Sequence, residues 1–108
     1  MNNNILYAYG TLRHQLYDPL VGDLVKVKGT LYNIGWFPGI ILGGNNDVVC
    51  EKIVVDSWDH FDAYEGYYED DKKNSLYLRV PILDGQIYVF NRSIEGKPII
   101  TSGDWFNK

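Results

Sequence analysis

Apolar side chains along this chain fall in short runs broken by glycine, proline, asparagine and aspartate, the spacing of many short strands rather than of long helices. Ile5 to Tyr9 reads as a buried strand that stops at Gly10. Between Val25 and Leu31, the apolar Val25, Val27 and Leu31 alternate with Lys26, Lys28 and Thr30, which predicts a half-buried strand with a bend or bulge at Gly29. Trp36-Phe37-Pro38-Gly39 reads as a loop and Ile40-Ile41-Leu42 as a brief strand. Gly43-Gly44-Asn45-Asn46 reads as a hairpin turn into a strand from Val48 to Val55. Leu76 to Leu83 and Gln86 to Phe90 form a further hairpin about Asp84-Gly85.

The period changes between Asp56 and Tyr64. Trp58, Phe61, Asp62 and Tyr64-Glu65 share one helical face, with Asp56 or Ser57 as N-cap and Gly66 as the left-handed stop. A second short helix is expected within Arg13 to Leu24, opened by Asp18-Pro19. The predicted fold class is α+β, a small mixed barrel-like sheet with one or two short helices, in one domain spanning residues 1–108.

Composition narrows the functions. Hydrophobic residues make up 45% and aromatics 15% of the chain, enough for a real core and for a pocket walled by rings. The net charge of −4, with the only Lys pair, Lys72-Lys73, beside Glu69, Asp70 and Asp71, argues against nucleic acid as a partner. One cysteine, Cys50, excludes a disulfide framework within the chain and reads as a small buried hydrophobe. His14 and His60 are not spaced as a ligand pair, so neither a metal nor another cofactor is expected. No signal peptide or membrane span is read, and the expected location is cytoplasmic.

Several segments carry candidate chemistry. At Tyr9-Gly10-Thr11-Leu12 a strand ends on glycine, where successive backbone N–H groups can form an anion nest or simply turn the chain. Glu65 sits at a helix end, facing the negative pole of the dipole, with Tyr64 and Tyr67 placed to shield it. Both effects disfavour the carboxylate and suit a proton carrier at neutral pH; the plain alternative is an exposed helix-end acid. Tyr77 and Arg79 point to one face of their strand, as a pocket wall or as a surface pair. Trp105 reads as an anchor for the C-terminal tail.

Taken together, these segments resemble the γ-glutamylcyclotransferase-like (AIG2-like) family. Tyr9-Gly10-Thr11-Leu12 looks like its Y-G-[ST]-L loop, and Asp62-Ala63-Tyr64-Glu65-Gly66-Tyr67 is similar to its D-x-[LYF]-E-G-Y segment. Tyr77-Leu78-Arg79 matches Y-x-R. Gly29-Thr30-Leu31-Tyr32 with Phe37-Pro38, and Ile100 to Trp105, match two further regions. The chain departs from the pattern at Arg13-His14-Gln15 and at Cys50, which stands where a glycine is usual.

The resemblance implies a cyclotransferase that releases 5-oxoproline and an amine or amino acid from a small γ-glutamyl compound. It implies Glu65 as general acid/base, with Tyr9, Gly10, Thr11, Leu12, Tyr77 and Arg79 binding the substrate. The alternative is a module that keeps the fold and binds small molecules or partners without turnover.

Overall fold

A computed structural model of the chain describes residues 4–10 and 24–108. Thr11, Leu12, His14 and the short helix expected at Asp18-Pro19 lie outside the described residues. Five strands, β1 (Ile5–Ala8), β2 (Leu24–Asn33), β3 (Pro38–Val54), β4 (Tyr77–Ile82) and β5 (Gly85–Phe90), form one sheet in the order β2-β3-β1-β5-β4. Helix α1 (Trp58–Glu65) connects β3 to β4, and short 3-10 turns occupy Lys72–Asn74 and Trp105–Asn107. Neighbouring strands are antiparallel except β1 and β5, which run parallel. The sheet curls into a half-barrel, the α+β class expected from the sequence.

β1 lies at the centre and is buried on both faces. Leu6 and Ala8 join one cluster with Ile53, Phe61, Tyr88 and Phe90. Tyr7 and Tyr9 join the other with Val27, Ile40, Val48, Ile87 and Trp105. A strand covered on both sides needs no polar alternation, which accounts for the continuous run from Ile5 to Tyr9.

Three details differ from expectation. The predicted hairpin at Gly43-Gly44-Asn45-Asn46 is absent, because β3 is one long strand. Lys28 pairs with Asp47 while Gly29 pairs with Leu42, so residues 43–46 bulge out opposite a single step of β2. Two apolar runs split by a glycine pair look like a hairpin in sequence; their common partner strand makes them one element.

The hairpin between β4 and β5 turns at Leu83-Asp84 rather than at Asp84-Gly85, with Leu83 at φ 50 and Gly85 paired to Ile82. Asp84 accepts hydrogen bonds from Tyr7 Oη and Lys52 Nζ, tying this turn to β1 and β3. The third difference is at the start of α1. Ser57 holds the N-cap position in an extended conformation, but its hydroxyl makes no capping bond.

The stop of α1 is as expected. Gly66 adopts φ 70, ψ 36, and the N–H groups of Gly66 and Tyr67 bond to the carbonyls of Ala63 (3.3 Å) and Asp62 (2.9 Å). The tail after Phe90 returns to the sheet: Ile100 N–H donates to Leu31 O (2.8 Å), Val49 N–H donates to Gly103 O (2.7 Å), and Trp105 is buried as the anchor. No helix among the described residues is long and apolar enough to cross a membrane.

Gly85 matters for a reason other than the turn. A Cβ there would stand 2.3 Å from the Ile5 carbonyl oxygen, so only glycine lets β5 approach β1 this closely. Gly85→Ala is expected to destabilise the protein by about 1–3 kcal/mol, the usual cost of overpacking, since a backbone atom and not a flexible side chain must yield. Chemical denaturation measures this, and an unchanged midpoint would show that the β1–β5 contact is looser than described.

Candidate active site

Two structural accidents of the sequence meet at one end of the sheet. β1 ends at its centre and leads into Tyr9-Gly10, and α1 ends at Glu65 because Gly66 reverses the chain. Leu76 N–H then bonds to Gly66 O (2.9 Å), which brings β4 alongside the helix end. Between them lies a cavity of about 180 Å³. Tyr9, Gly10, Pro38, Glu65, Tyr77 and Tyr88 contribute to its wall, with Phe37 and the largely exposed Tyr64.

The hydroxyls of Tyr9, Tyr77 and Tyr88 in this wall are already engaged. Tyr9 Oη donates to Tyr88 O (2.6 Å) and accepts from Ile40 N–H (3.3 Å). Tyr77 Oη donates to Pro38 O (2.5 Å), and Tyr88 Oη donates to Asp62 Oδ1 (2.7 Å). Burial, followed by the nearby charge of Tyr77 and Glu65, raises the Tyr9 pKa well above the ordinary value. Burial first and Glu65 second do the same for Tyr77. Burial and the bond to Asp62 raise Tyr88. All three stay neutral and donate to fixed acceptors, so none is a base near neutral pH.

Glu65 is different. Its half-buried carboxyl group has no hydrogen bond or ion pair among the described residues. Burial alone pushes its pKa from 4.5 up to about 7. The physical cause is loss of water without a compensating charge, which penalises the carboxylate. Both protonation states are therefore populated near neutral pH, as a group that takes and returns one proton requires.

Of the flanking tyrosines read from the sequence, Tyr64 lines the cavity with Glu65 and Tyr67 does not. Tyr67 turns away, donating to Glu69 Oε1 (2.5 Å) with its ring against Arg79, while Tyr64 is 63% exposed at the rim. The covering rings come from Tyr9, Tyr77 and Tyr88, on separate strands or strand ends.

Of the residues singled out in the sequence, Tyr9, Gly10, Glu65 and Tyr77 are brought to one cavity. Thr11 and Leu12 lie outside the described residues, as does most of the expected anion nest. Arg79 is not in the cavity wall. Its Nε and Nη2 bond to the two oxygens of Asp62 (2.8 and 3.1 Å), its Nη1 to Gln86 Oε1 (3.0 Å), and its guanidinium lies over Trp58. Asp62 and Tyr88 carry roles that the sequence did not assign. Tyr88 sits in a strand of ordinary pattern, and Asp62 is a member of the acidic motif whose partner is distant in the chain. Among the described residues no group of three or more His, Cys, Asp or Glu side chains is placed to hold a metal.

Residues 6–107 match the family model for gamma-glutamyl cyclotransferase, AIG2-like. The chain belongs to this family. It is 27% identical to the Escherichia coli K12 gamma-glutamylcyclotransferase family protein YtfP, over 95% of this chain and 96% of that protein. The same figures hold for YtfP of Shigella flexneri. The solution NMR structure of Escherichia coli ytfP superposes with a TM-score of 0.67 at 23% identity, covering 95% of this chain and 96% of that one. A crystal structure of a Pyrococcus horikoshii protein gives a TM-score of 0.64 at 17% identity, over 95% and 90% of the two chains. These two likenesses establish a shared fold.

A raised carboxyl pKa leaves a thermodynamic trace. The folded state holds the Glu65 proton more tightly than the unfolded chain, so between pH 4.5 and about 7 the unfolded state binds fewer protons. The contribution of Glu65 to stability is therefore present below pH 4.5 and is lost as pH rises through about 7. Glu65→Gln should flatten this part of the stability profile and be relatively more stable than the parent at pH 8. Denaturation midpoints across pH 4 to 8 test it; parallel profiles for the two proteins would mean that Glu65 titrates as an exposed acid.

Proposed function

We propose that this family member is a cyclotransferase converting a small γ-glutamyl compound to 5-oxoproline, with Glu65 as its general acid/base. The observation that carries the reading is a half-buried carboxyl group, without a hydrogen bond or ion pair among the described residues, at a ring-walled cavity and with a pKa of about 7. The Glu65 carboxylate takes a proton from the substrate α-amino group. The freed nitrogen attacks the γ-carbonyl carbon, closing the five-membered lactam. The bond from that carbon to the leaving nitrogen breaks as Glu65 returns its proton to that nitrogen; the ring nitrogen then gives up a second proton, again through Glu65, and the leaving amine takes it up to depart as an ammonium. An amine or amino acid leaves and no proton is gained or lost overall.

The wall supports this chemistry in two ways. Nucleophile and electrophile belong to one molecule, so a small cavity that holds the substrate bent supplies much of the rate. The tyrosines exclude water around Glu65 while offering it no competing proton. We assign substrate binding to Tyr9 and Gly10, with Thr11 and Leu12 following in the family motif, and to Tyr77. Arg79 is assigned a supporting role behind the wall.

The test is turnover. The protein is incubated with a panel of γ-glutamyl compounds and 5-oxoproline is measured for the parent and for Glu65→Gln. The substitution keeps size and hydrogen bonding but cannot cycle a proton, so turnover of the best substrate should drop by at least about 10²-fold. Near-parental turnover in folded Glu65→Gln protein rules out the mechanism. No 5-oxoproline from any member of the panel favours a binding module that keeps the fold.

A further inference from the structure

Asp62 accepts three hydrogen bonds, one of them from Tyr88 of the cavity wall, and yet does not itself line the cavity. Its side chain is 16% exposed and that of Arg79 17%, so the pair is largely withdrawn from water. Glu65 follows Asp62 by three residues on α1, on the same side of the helix and about 4.5 Å further along its axis. Tyr77 and Arg79 stand two apart on one face of β4. The two pairs face each other in register: Tyr77 shares the cavity with Glu65, and Arg79 meets Asp62.

One guanidinium therefore faces a helical turn that carries two carboxyl groups. Pairing with Asp62 holds the guanidinium on the turn of α1 that precedes Glu65 and outside the cavity wall. The bidentate geometry, the bond to Gln86 and the packing over Trp58 and Tyr67 all hold Arg79 in that arrangement.

We propose that Asp62 is a positioning residue: by engaging Arg79 through both oxygens and accepting from Tyr88, it fixes the end of α1 against the cavity wall and keeps the guanidinium off Glu65. This rests on the reading of Glu65 as the proton carrier. Among the described residues, the titratable groups that share the cavity with Glu65 include Tyr9, Tyr77 and Tyr88, with Tyr64 beside it on α1. Tyr9, Tyr77 and Tyr88 remain neutral over the working range, so among the described residues a guanidinium released from Asp62 is the charge that would change how Glu65 titrates.

The experiment follows the Glu65 carboxyl carbon by NMR across pH in the parent, Asp62→Asn and Arg79→Met proteins, assigned by difference from Glu65→Gln. Asp62→Asn leaves the Arg79 charge uncancelled, and the Glu65 midpoint should fall by about one unit or more, as for a carboxyl beside an opposite charge. The pH at which kcat/KM rises should move down with it, and kcat should fall more than KM changes. Arg79→Met leaves the Asp62 charge uncancelled, and the midpoint should rise. A merely structural pair would lower stability in both variants without shifting the midpoint in opposite directions.

Equal midpoints in the folded parent and single variants overturn the proposal. Should Asp62→Asn not fold, Arg79→Met decides alone: a raised midpoint supports the proposal and an unchanged or lowered one refutes it. Because the titration needs no turnover, an active Glu65→Gln protein would remove the proton-carrier reading without touching this result.

Discussion

A helix as short as α1, with eight residues, cannot persist in water on backbone hydrogen bonds alone, so whatever it presents depends on how it is docked. Apolar and directional contacts dock it, with Trp58 packed against Tyr88 and under Arg79. Phe61, its one buried side chain, enters the cluster beneath it with Leu6, Ala8 and Tyr88, a burial that contributes about 1.5–3 kcal/mol. One residue later, Asp62 clamps Arg79 from β4 and accepts from Tyr88 of β5. The apolar contact sets how close the helix lies; the directional bonds set its rotation and its position along the sheet. Removing one partner of such a withdrawn ion pair costs about 3–5 kcal/mol, more than the apolar contact contributes. The position of Glu65 follows from that docking.

The chemistry of the site then arises from what is missing around Glu65. A carboxyl group taken out of water normally finds a cation or several N–H donors, and its pKa falls. Here the nearby tyrosine hydroxyls donate elsewhere, and the guanidinium on the adjacent strand is occupied by another acid. The carboxylate is left with the penalty of burial and, among the described residues, no compensation, which makes it both a better base and a usable acid near neutrality.

Much of this was legible in the sequence where the cause is local. Gly66 stops α1 because the left-handed position suits glycine, and the run Ile5 to Tyr9 is uniformly apolar because β1 is covered on both faces. What depends on a partner strand was not legible. Nothing local tells that residues 43–46 are a bulge rather than a turn, or that Gly85 is set by the Ile5 carbonyl and not by turn geometry. The site divides in the same way. Glu65 stood out in its motif, and Tyr9, Gly10 and Tyr77 do line the cavity with it. Arg79 carried the right face but not the right neighbour, since its partner Asp62 lies 17 residues away and only the docking of α1 joins them. The rings around Glu65 were expected from its flanks; Tyr64 does stand at the rim, and Tyr9, Tyr77 and Tyr88 come from strands that converge from different parts of the chain.

The central claim is that folding places Glu65 half out of water with no compensating charge among the described residues. Titration of its carboxyl carbon by NMR in the unmodified protein reads this state directly, with no dependence on the identity of the substrate. A single midpoint near pH 7 is the result the structure requires. A midpoint near 4.5, the value of an ordinary glutamate, would show the carboxylate to be solvated or paired and would contradict the account.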